Sequence, residues 1–355
     1  MEQASYILMR ETQNKSIDWQ VQSVTSAGEG KEILAEINIP VFDNLYEGKF
    51  GYKSHLDLKK KVKNFSADII LVTGPTLTGC MSVKSHPCKK VLAIHFCHKS
   101  GFFNFLKWKA FYQIFQPDYQ AIIYHSPYIL EEAKKIAPQL QHKFHLIEYS
   151  TQRCSATTIS ERDIACKSLG IPANAFVIGN AGWLIQRKRF DIFLEVCSKI
   201  SNCNNQQLIF LIAGDGPLRG ELEVLAAKLG ISGKVKFIGW QKDLSSFYKS
   251  LNLLLFNSDS DAFGRTVMEA MGYGVPVVAS VVEGGTDSIL TNGKNGYLIR
   301  EHNVDLLSEC CLELINNKDT YQQFQRQSLE VVKSRFTNEL FVQKYLDVFN
   351  TVLKS

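Results

Sequence analysis

Residues 258–280 read SDSDAFGRTVMEAMGYGVPVVAS, and this stretch decides the fold that the sequence predicts. An apolar run ending at Phe256 predicts a strand, a polar loop follows it, and a helix is predicted to begin near Thr266. Backbone N–H groups at the start of a helix bind anions, and Gly264 allows a ligand to approach the backbone closely. The stretch therefore predicts a site for a diphosphate group.

Two carboxylates belong to this stretch. Asp261 precedes the helix, and Glu269 is expected in its first turn, where negative charge is favourable against the helix dipole. A carboxylate accepts hydrogen bonds from paired hydroxyl groups well, so a ribose diol is a suitable ligand for Glu269. The residues alone leave two alternatives open. Thr266 and Glu269 have the spacing of a capping box, and Asp261 taken singly is an ordinary loop aspartate.

The rest of the second half alternates short apolar runs with helical patterns, which is typical of βαβ units and parallel sheets. The predicted strands are 176–178, 208–213, 235–238, 251–256 and 275–279, and the predicted helices are 190–200, 221–230 and 266–271. This order predicts a doubly wound Rossmann-like domain. Since such sheets bind ligands at the carboxyl ends of their strands, the site is expected in the loops after Ile178, Ala213, Ile238 and Phe256.

The first half predicts a similar but less regular domain, with its clearest strands at 69–72, 91–94 and 121–124. Between the last two, residues 101–115 contain seven aromatic side chains, with Lys99, Lys107 and Lys109 close by. Aromatic residues beside lysines suit a membrane interface, and they also suit a helix packed between the sheet and its neighbours. The packed helix is the favoured interpretation.

Composition indicates an ordinary globular protein. With 355 residues, 45% hydrophobic and 21% charged, the chain is long enough for two domains. Its start lacks the features of a secretory signal, and its apolar runs are far shorter than the roughly 20 residues of a membrane span. The nine cysteines contain no Cys-x-x-Cys pair. Neither a zinc site nor a disulfide framework is therefore predicted, and a reduced, cytoplasmic setting is expected.

The positive charge is uneven along the chain. Residues 1–160 contain 19 Lys or Arg and 14 Asp or Glu, which accounts for the whole net charge of +5. Basic surface on one half suits an anionic partner such as a membrane face or an acidic acceptor, and a solvated lysine-rich surface is the alternative. Nothing in this pattern suggests a nucleic acid as partner.

The second half also carries several short patterns in order. They are GNAGWLIQRK (179–188), AGDGP (213–217), VKFIG (235–239), DAFGRTVME (261–269), and GGTD (284–287) followed by NGKNGYL (292–298). These resemble the G-R-L-x-x-x-K, A-G-x-G-P, V-x-F-x-G, E-x7-E and G-G-x-E/D-G-x-N-G-x-L motifs of retaining glycosyltransferase family 4. The resemblance is dense over residues 176–300 and loose in the first half.

This resemblance implies the α/β fold called GT-B, in which two Rossmann-like domains face each other across a cleft. The N-terminal domain is expected to lack its first strand, because the chain starts with a segment similar to the helix that follows it. The expected domains are an acceptor-binding domain at 1–165, a nucleotide-sugar-binding domain at 166–335, and a final helix at 336–355 returning to the first domain.

For the donor, the resemblance implies a role for each matching residue. Lys188 is expected to neutralise the diphosphate. The backbone at Phe263 and Gly264, with Arg265 nearby, is expected to surround the phosphates. Glu269 is expected to hold the nucleotide ribose.

Further roles concern the base and the transferred sugar. Asp261 stands eight residues before Glu269, where the family has the first of its two glutamates, and is expected to bind hydroxyls of the sugar. Trp240 and Gln241 are expected beside the base. His95 ends a strand at the place of the family's sugar-facing histidine, although a core or capping histidine is the alternative.

The implied activity is transfer of a sugar from a UDP- or GDP-linked donor to a hydroxyl acceptor, with retention at the anomeric carbon. The leaving diphosphate itself helps to deprotonate the acceptor, so no metal and no cofactor are expected. The protein would stabilise the charges that develop on the phosphate and the sugar. The expected acceptor is a cell-surface glycan or a lipid-linked glycan, with the enzyme cytoplasmic or peripheral at the inner membrane face.

Three departures from the family pattern bear on this expectation. Trp183 replaces the family's arginine, so that Arg187 or Arg189 would have to supply the missing cation. Asp261 is shorter than the family's glutamate by about 1.5 Å. The Gly-Gly loop that normally touches the donor phosphate and the acceptor has no counterpart at the start of the chain.

Other functions have weaker support. Asp259 and Asp261 form a D-x-D pattern, the metal-binding signature of another glycosyltransferase fold, but its position in the second domain before Glu269 argues against that function. A non-catalytic protein that binds nucleotide sugars or supports a partner enzyme is a separate hypothesis, favoured by Trp183 and by the missing loop. A dehydrogenase is disfavoured because Gly214 begins a GxGxxxG pattern rather than GxGxxG.

Overall fold

The chain divides into two units. The structure is a computed structural model and describes residues 3–15, 17–24, 30–42, 52–64, 66–84, 86–95, 101–203, 206–282 and 285–355. The first unit comprises Met1–Ser150 and Asn338–Ser355, and the second comprises Thr151–Thr337. The division thus falls after residue 150, earlier than the boundary expected after residue 165.

The strands, in chain order, are β1 (Val21–Gln22), β2 (Val41–Phe42), β3 (Ile69–Thr73), β4 (Lys89–Ile94), β5 (Ala121–Tyr124), β6 (Phe144–Leu146), β7 (Phe176–Ala181), β8 (Leu208–Ala213), β9 (Val235–Phe237), β10 (Leu253–Phe256), β11 (Val277–Ser280) and β12 (Tyr297–Ile299). The 3₁₀ turns are Gln116–Asp118, Pro138–Lys143, Gln186–Lys188 and Thr286–Ser288.

The helices, in chain order, are α1 (Gln3–Glu11), α2 (Gly30–Ala35), α3 (Tyr52–Lys63), α4 (Leu77–Val83), α5 (Phe102–Phe115), α6 (Pro127–Ile136), α7 (Ile159–Ser168), α8 (Phe190–Cys203), α9 (Arg219–Lys228), α10 (Ser245–Ser250), α11 (Arg265–Gly272), α12 (Val304–Asn316), α13 (Lys318–Arg335) and α14 (Asn338–Lys354).

The sheet of the second unit is parallel and doubly wound. Its strand order is β12-β11-β10-β7-β8-β9. The central strands are almost fully buried, which is why they read as apolar runs such as LLLF at 253–256. Chain order reverses between β7 and β10, and sheets of this kind bind ligands at that switch point. A ligand site is therefore expected in the loops after these two strands.

The first unit contains a smaller parallel sheet of order β3-β4-β5-β6, and β1 pairs with β2 in a separate parallel ribbon. The last helix of the chain, α14, packs on the first, α1. The Asn338 amide donates to Glu11 Oε1 at 3.3 Å, and the ring of Phe349 lies 6.3 Å from that of Trp19. The end of the chain therefore completes the unit formed by its beginning.

Residues 155–175 form a polar segment just after the division between the two units. It contains α7, which begins with a capping box in which the Thr158 side chain accepts from the Glu161 N–H and the Glu161 side chain accepts from the Thr158 N–H. The Arg153 guanidinium binds the same carboxylate and lowers the pKa of Glu161. The polarity of this segment thus reflects a solvent-facing helix rather than an unstructured connection.

The aromatic segment 101–115 forms α5, but only one part of it packs as expected. Tyr112 and Phe115 are buried, whereas Phe102 is 70% and Phe103 is 84% exposed. The prediction of a fully packed helix is therefore wrong for its first turns. Among the described residues, no helix combines the length and apolarity needed to cross a membrane.

Candidate functional site

The loop between β10 and α11 is organised by the carboxylate of Asp261. Its Oδ1 atom accepts hydrogen bonds from the backbone N–H of Phe263 at 3.1 Å and of Gly264 at 2.8 Å. Its Oδ2 atom accepts from the Lys188 ammonium at 2.5 Å. Gly264 caps the helix with φ of +82°, and a Cβ there would lie 2.9 Å from the Thr286 side chain, so this turn requires glycine.

Three groups expected around a phosphate, Lys188 and the two amides, thus converge on one anion of the protein itself. The Asp261 side chain is only 18% exposed. Burial opposes its ionisation, but Lys188 and the two backbone N–H groups outweigh burial and lower the pKa of Asp261. The loop therefore holds a stable negative charge where a phosphate was predicted.

The turn that carries Lys188 is tied to the loop that carries Asp261 through further contacts. The backbone N–H of Asp259 and the Ser258 hydroxyl both donate to the Arg187 carbonyl, at 2.9 and 3.1 Å. The Arg187 guanidinium donates to the Ser260 carbonyl at 2.7 Å. Since one turn follows β7 and the other follows β10, these contacts fasten the two sides of the switch point together.

Asp259 has its own cationic contact. Arg189, whose φ is +50°, reaches Asp259 Oδ1 at 3.3 Å, and His302 Nε2 lies 2.9 Å from the same oxygen. His302 Nδ1 lies 3.1 Å from the hydroxyl of the buried Ser280. Both carboxylates of the D-x-D pattern are therefore bound to basic side chains. In the part of the chain that the structure describes, no three His, Cys, Asp or Glu side chains group as a metal site would require.

Glu269 lies in the second turn of α11, because the helix begins at Arg265 rather than at Thr266. The expected position in the first turn is therefore wrong, and so is the capping-box alternative, since Gly264 is the N-cap. Glu269 Oε2 accepts from the Tyr248 hydroxyl at 2.7 Å, and Oε1 accepts from the Arg265 guanidinium at 2.8 Å.

The surroundings of Glu269 combine a buried donor with a partly exposed carboxylate. Tyr248 is 2% exposed, and burial together with the Glu269 charge raises the pKa of Tyr248 well above its ordinary value. The Glu269 side chain is 18% exposed. A carboxylate offers about four lone-pair sites, so the two observed bonds leave capacity for a ligand hydroxyl. Arg265, which was expected at the phosphates, instead pairs with Glu269.

Two tryptophans are exposed at the carboxyl edge of the same sheet. Trp183 follows β7 and is 63% exposed, and Trp240 follows β9 and is 64% exposed. The backbone around Trp183 is closely packed, since a Cβ on Gly214 would lie 1.9 Å from the Gly182 carbonyl oxygen. The Gln241 side-chain amide donates to the Ile238 carbonyl at 2.7 Å, which holds the loop after β9 in shape.

His95 belongs to the first unit, at the carboxyl end of β4. Its Nδ1 atom lies 3.1 Å from the Tyr149 hydroxyl, and its ring stacks on that of His125 with centroids 4.4 Å apart. His95 therefore lies among aromatic side chains of the first unit.

The structure thus brings Asp261, Lys188, Phe263 and Gly264 into direct contact, and it pairs Arg265 with Glu269. Sequence reasoning missed Tyr248, the hydroxyl donor to Glu269, because it stands 21 residues upstream in no motif. It also missed His302, which completes the contacts of Asp259. The one signal for His302 was its place just beyond the NGKNGYL pattern, near the end of another strand of the same sheet.

Two Rossmann-like units, one of them with a charged edge at its switch point, agree with the GT-B class of fold that the sequence resemblance implies. Residues 161–331, most of the second unit, match the family model described as glycosyl transferases group 1. This segment contains Lys188, Asp261 and Glu269. The match therefore covers the edge of the sheet at which the charged side chains meet.

Solved structures resemble the chain over nearly its whole length. A glycosyltransferase from Rickettsia africae superposes with a TM-score of 0.84 at 17% identity, covering 99% of this chain and 95% of that one. HepE of Anabaena, in complex with UDP and glucose, superposes with a TM-score of 0.81 at 19% identity, covering 98% and 95%. At such identities the likeness shows the fold.

Among related sequences, the lipopolysaccharide core biosynthesis glycosyltransferase LpsE of Rhizobium meliloti is 25% identical over 180 residues. The aligned part is 51% of this chain and 51% of LpsE. The chain thus spans about half the length of the curated relatives it matches.

Proposed function

We propose that this chain is a retaining glycosyltransferase of family 4, which moves a sugar from a nucleotide-diphosphate sugar to a hydroxyl acceptor. One observation carries the proposal: Lys188, Asp261 and the Gly264 amide meet at the switch point of the sheet, inside the segment that matches the glycosyl transferase family. A cation beside the N–H groups of a helix start suits a diphosphate leaving group.

In the proposed donor complex, the diphosphate replaces Asp261 as the partner of Lys188. Asp261 then turns to hydroxyls of the transferred sugar, and the N–H groups of Phe263 and Gly264 pass to phosphate oxygens. The support for this exchange is that all three donors converge on one carboxylate, an anion like the phosphate that would replace it. The exchange keeps every donor paired with an anion in both states.

The nucleoside is assigned to the neighbouring groups. Glu269 holds the ribose diol through the acceptor capacity that Tyr248 and Arg265 leave, and Arg265 is close enough to the helix start to assist at the phosphates. Trp240, exposed and on a loop held by Gln241, packs against the base.

The chemistry follows from charge rather than from a nucleophile of the protein. Lys188 and the helix start stabilise the charge that grows on the leaving diphosphate, while Asp261 and His95 serve the sugar. The diphosphate accepts the proton of the attacking hydroxyl on the same face, which gives retention. No metal is required in this scheme, because the positive charge beside the diphosphate comes from a lysine. Transfer is accordingly expected to proceed in chelator.

The donor and the acceptor are proposed from the relatives. HepE was solved with UDP and glucose, which favours a UDP-sugar as donor. LpsE acts in lipopolysaccharide core biosynthesis, which favours a cell-surface glycan or glycolipid as acceptor.

A peripheral membrane contact is part of the proposal. On α5, the exposed rings of Phe102, Phe103 and Phe105 accompany the exposed side chains of Lys107 and Lys109. Aromatic and aliphatic groups of this kind enter the headgroup region, where lysines meet anionic lipids. The chain is thus proposed to work in the cytoplasm at the inner membrane face, where a lipid-linked acceptor is available.

The first experiment is a thermal-shift screen of UDP-, GDP- and ADP-sugars against the wild type, Glu269→Ala and Glu223→Ala. Glu223 is a matched control, because it forms an exposed helical ion pair with Arg219 in the same unit. A ligand at 100 times its Kd adds about 2.7 kcal/mol to the stability of the folded state. One class of nucleotide sugar is expected to stabilise the wild type and Glu223→Ala but not Glu269→Ala.

Equal responses of the wild type and Glu269→Ala would show that the nucleotide binds elsewhere. A donor that stabilises the wild type, with neither transfer nor hydrolysis of that donor, would favour the non-catalytic nucleotide-sugar-binding protein. Donor turnover measured with a panel of lipid-linked and soluble glycan acceptors separates these two functions.

A further inference from the structure

Three aromatic side chains meet at the carboxyl edge of the sheet in the first unit. His95 follows β4, His125 follows β5, and Tyr149 lies three residues beyond β6. These strands are neighbours in one parallel sheet, so their carboxyl ends open onto the same edge. We call His95, His125 and Tyr149 the ring cluster.

The rings of the cluster lie nearly parallel. The centroids of His95 and His125 are 4.4 Å apart with planes 16° from parallel, and those of His125 and Tyr149 are 4.6 Å apart with planes at 23°. The Tyr149 hydroxyl lies 3.1 Å from His95 Nδ1. His95 is therefore held by a ring contact on one side and a hydrogen bond at one nitrogen.

The hydrogen bonds of His125 determine which of its nitrogens carries the proton. Its Nδ1 atom lies 2.6 Å from the Ile147 carbonyl oxygen, which can only accept, so Nδ1 carries the proton. Its Nε2 atom lies 3.3 Å from the Tyr345 hydroxyl, which donates to it when the ring is neutral. His125 is 0% exposed, and the neutral ring is the form that such a buried place accommodates.

The hydroxyl that holds His125 comes from the other end of the chain. Tyr345 lies on α14, 220 residues beyond His125, and its own ring packs against Phe341 with centroids 5.0 Å apart. Phe341 also stacks on His125 at 6.3 Å. The last helix therefore packs directly against the ring on which His95 rests.

We propose that His125 is a positioning residue for His95. Its neutral ring, with the proton on Nδ1, sets the plane of the His95 imidazole, and Tyr345 of α14 keeps that ring in place. The catalytic part of this inference rests on the proposed function, in which His95 faces the transferred sugar. A small displacement of a reacting group from its productive position can cost about 10²-fold in rate.

The test uses two variants and a matched control in the full chain. His125→Phe keeps a ring and removes the hydrogen bonds to the Ile147 carbonyl and the Tyr345 hydroxyl, while Tyr345→Phe removes only the hydroxyl that holds His125. Tyr112→Phe is the control, because the Tyr112 hydroxyl also forms a buried hydrogen bond in the first unit, but with Tyr124, at 2.9 Å, and not with a member of the cluster.

The first measurement is independent of activity. Long-range ¹H–¹⁵N spectra of the histidine rings are expected to show His125 as the neutral Nδ1–H tautomer, a signal that His125→Phe removes and thereby assigns. The His95 signals are expected to shift in His125→Phe and Tyr345→Phe and to stay unchanged in Tyr112→Phe. A cationic or Nε2–H His125, or an unmoved His95, would overturn the proposal whether or not the chain transfers sugar.

The second measurement separates positioning from folding. His125→Phe is expected to lower kcat by about 10- to 100-fold and Tyr345→Phe by less, with the donor Kd from thermal shifts unchanged in both. Tyr112→Phe is expected to keep the wild-type kcat. Equal losses of kcat in all three variants would show that His125 has only a structural role and does not position His95. Donor binding without turnover in the wild type would contradict the proposed function. The NMR spectra would then still test whether His125 positions the His95 ring.

Discussion

The two sheets of this protein present very different carboxyl edges. In the second unit the edge is charged, and its main contacts join two short loops, one carrying Lys188 and the other carrying Asp261. In the first unit the edge is aromatic, and it combines the ring cluster of His95, His125 and Tyr149 with the Tyr345 hydroxyl that holds His125. The charged edge is built from residues that belong to recognisable motifs, whereas the aromatic edge depends on His125 and Tyr345, which lie in no motif.

The strongest test of the charged edge is removal of Lys188. Lys188→Met is expected to lower kcat/KM for sugar transfer by about 10²–10³-fold, the cost of losing one group that stabilises charge in the transition state. Steady-state kinetics with the best donor from the thermal-shift screen measures it. Lys199→Met, which breaks an exposed ion pair with Asp305 in the same unit, is the control and should keep the wild-type rate. Comparable losses of kcat/KM in the two variants would contradict a role of Lys188 in sugar transfer.

A second comparison uses one buried hydroxyl from each unit. Tyr248→Phe removes a hydrogen bond to a carboxylate and is expected to cost about 1.5–3 kcal/mol of unfolding free energy. Tyr112→Phe removes a bond between two neutral hydroxyls and is expected to cost about 0.5–1.5 kcal/mol. Urea unfolding of each variant measures both values. A larger loss of unfolding free energy in Tyr112→Phe than in Tyr248→Phe would contradict the expectation that the charged hydrogen bond is the stronger one.

A third test concerns the exposed aromatic residues of α5. The double change Phe102→Ser and Phe103→Ser is expected to weaken binding to vesicles containing anionic lipid by about tenfold, or about 1.4 kcal/mol. This is a fraction of the about 1.5–3 kcal/mol that full burial of each ring is worth, because rings at the headgroup level are only partly buried. Co-sedimentation with vesicles measures it. Ile159→Ser in the second unit is the control, because Ile159 is 83% exposed on α7. If the double change and Ile159→Ser weakened vesicle binding equally, the proposed membrane contact of α5 would be contradicted.

The smallest effect is expected from pH. Because Lys188 and the amides lower the pKa of Asp261 below its unfolded value of about 3.9, its ionisation stabilises the fold above that pH. This stabilisation is lost as the pH falls through the lowered folded-state pKa. Melting temperatures of the wild type and Asp261→Asn, measured from pH 7 to pH 3, should therefore converge at the acid end. A difference that grows on acidification would contradict the charged pairing.

Much of the second unit was predictable from sequence because its signals are local. Buried parallel strands read as apolar runs, so the strand ending at Phe256 was placed correctly at that end. The helix after it was placed within a residue of its start, but its cap was not. The pairing of Asp261 with its own loop amides was not predictable, since a motif gives the spacing of residues and not the rotamer that a short side chain adopts.

The contacts of the first unit were less predictable for a related reason. His95 was singled out by its place after a strand, yet its neighbour His125 and the Tyr345 that holds His125 lie in no common motif. The exposed turns of α5 were also missed, because an aromatic pattern alone does not distinguish rings that pack inward from rings that face outward. Side-chain partners that lie 30 to 220 residues apart become visible only when the sheet and the last helix are in place.

Placement of α14 on α1 has a consequence for how the protein is made. The first unit lacks its final helix until Thr151–Thr337 has left the ribosome, which takes roughly 10–40 s at synthesis rates of about 5–20 residues per second. During that interval the nascent first unit exposes the apolar surface that Phe341 and Tyr345 later cover. The first unit, although it is translated first, is therefore completed after the second. During this interval a chaperone could bind the exposed apolar surface of the first unit.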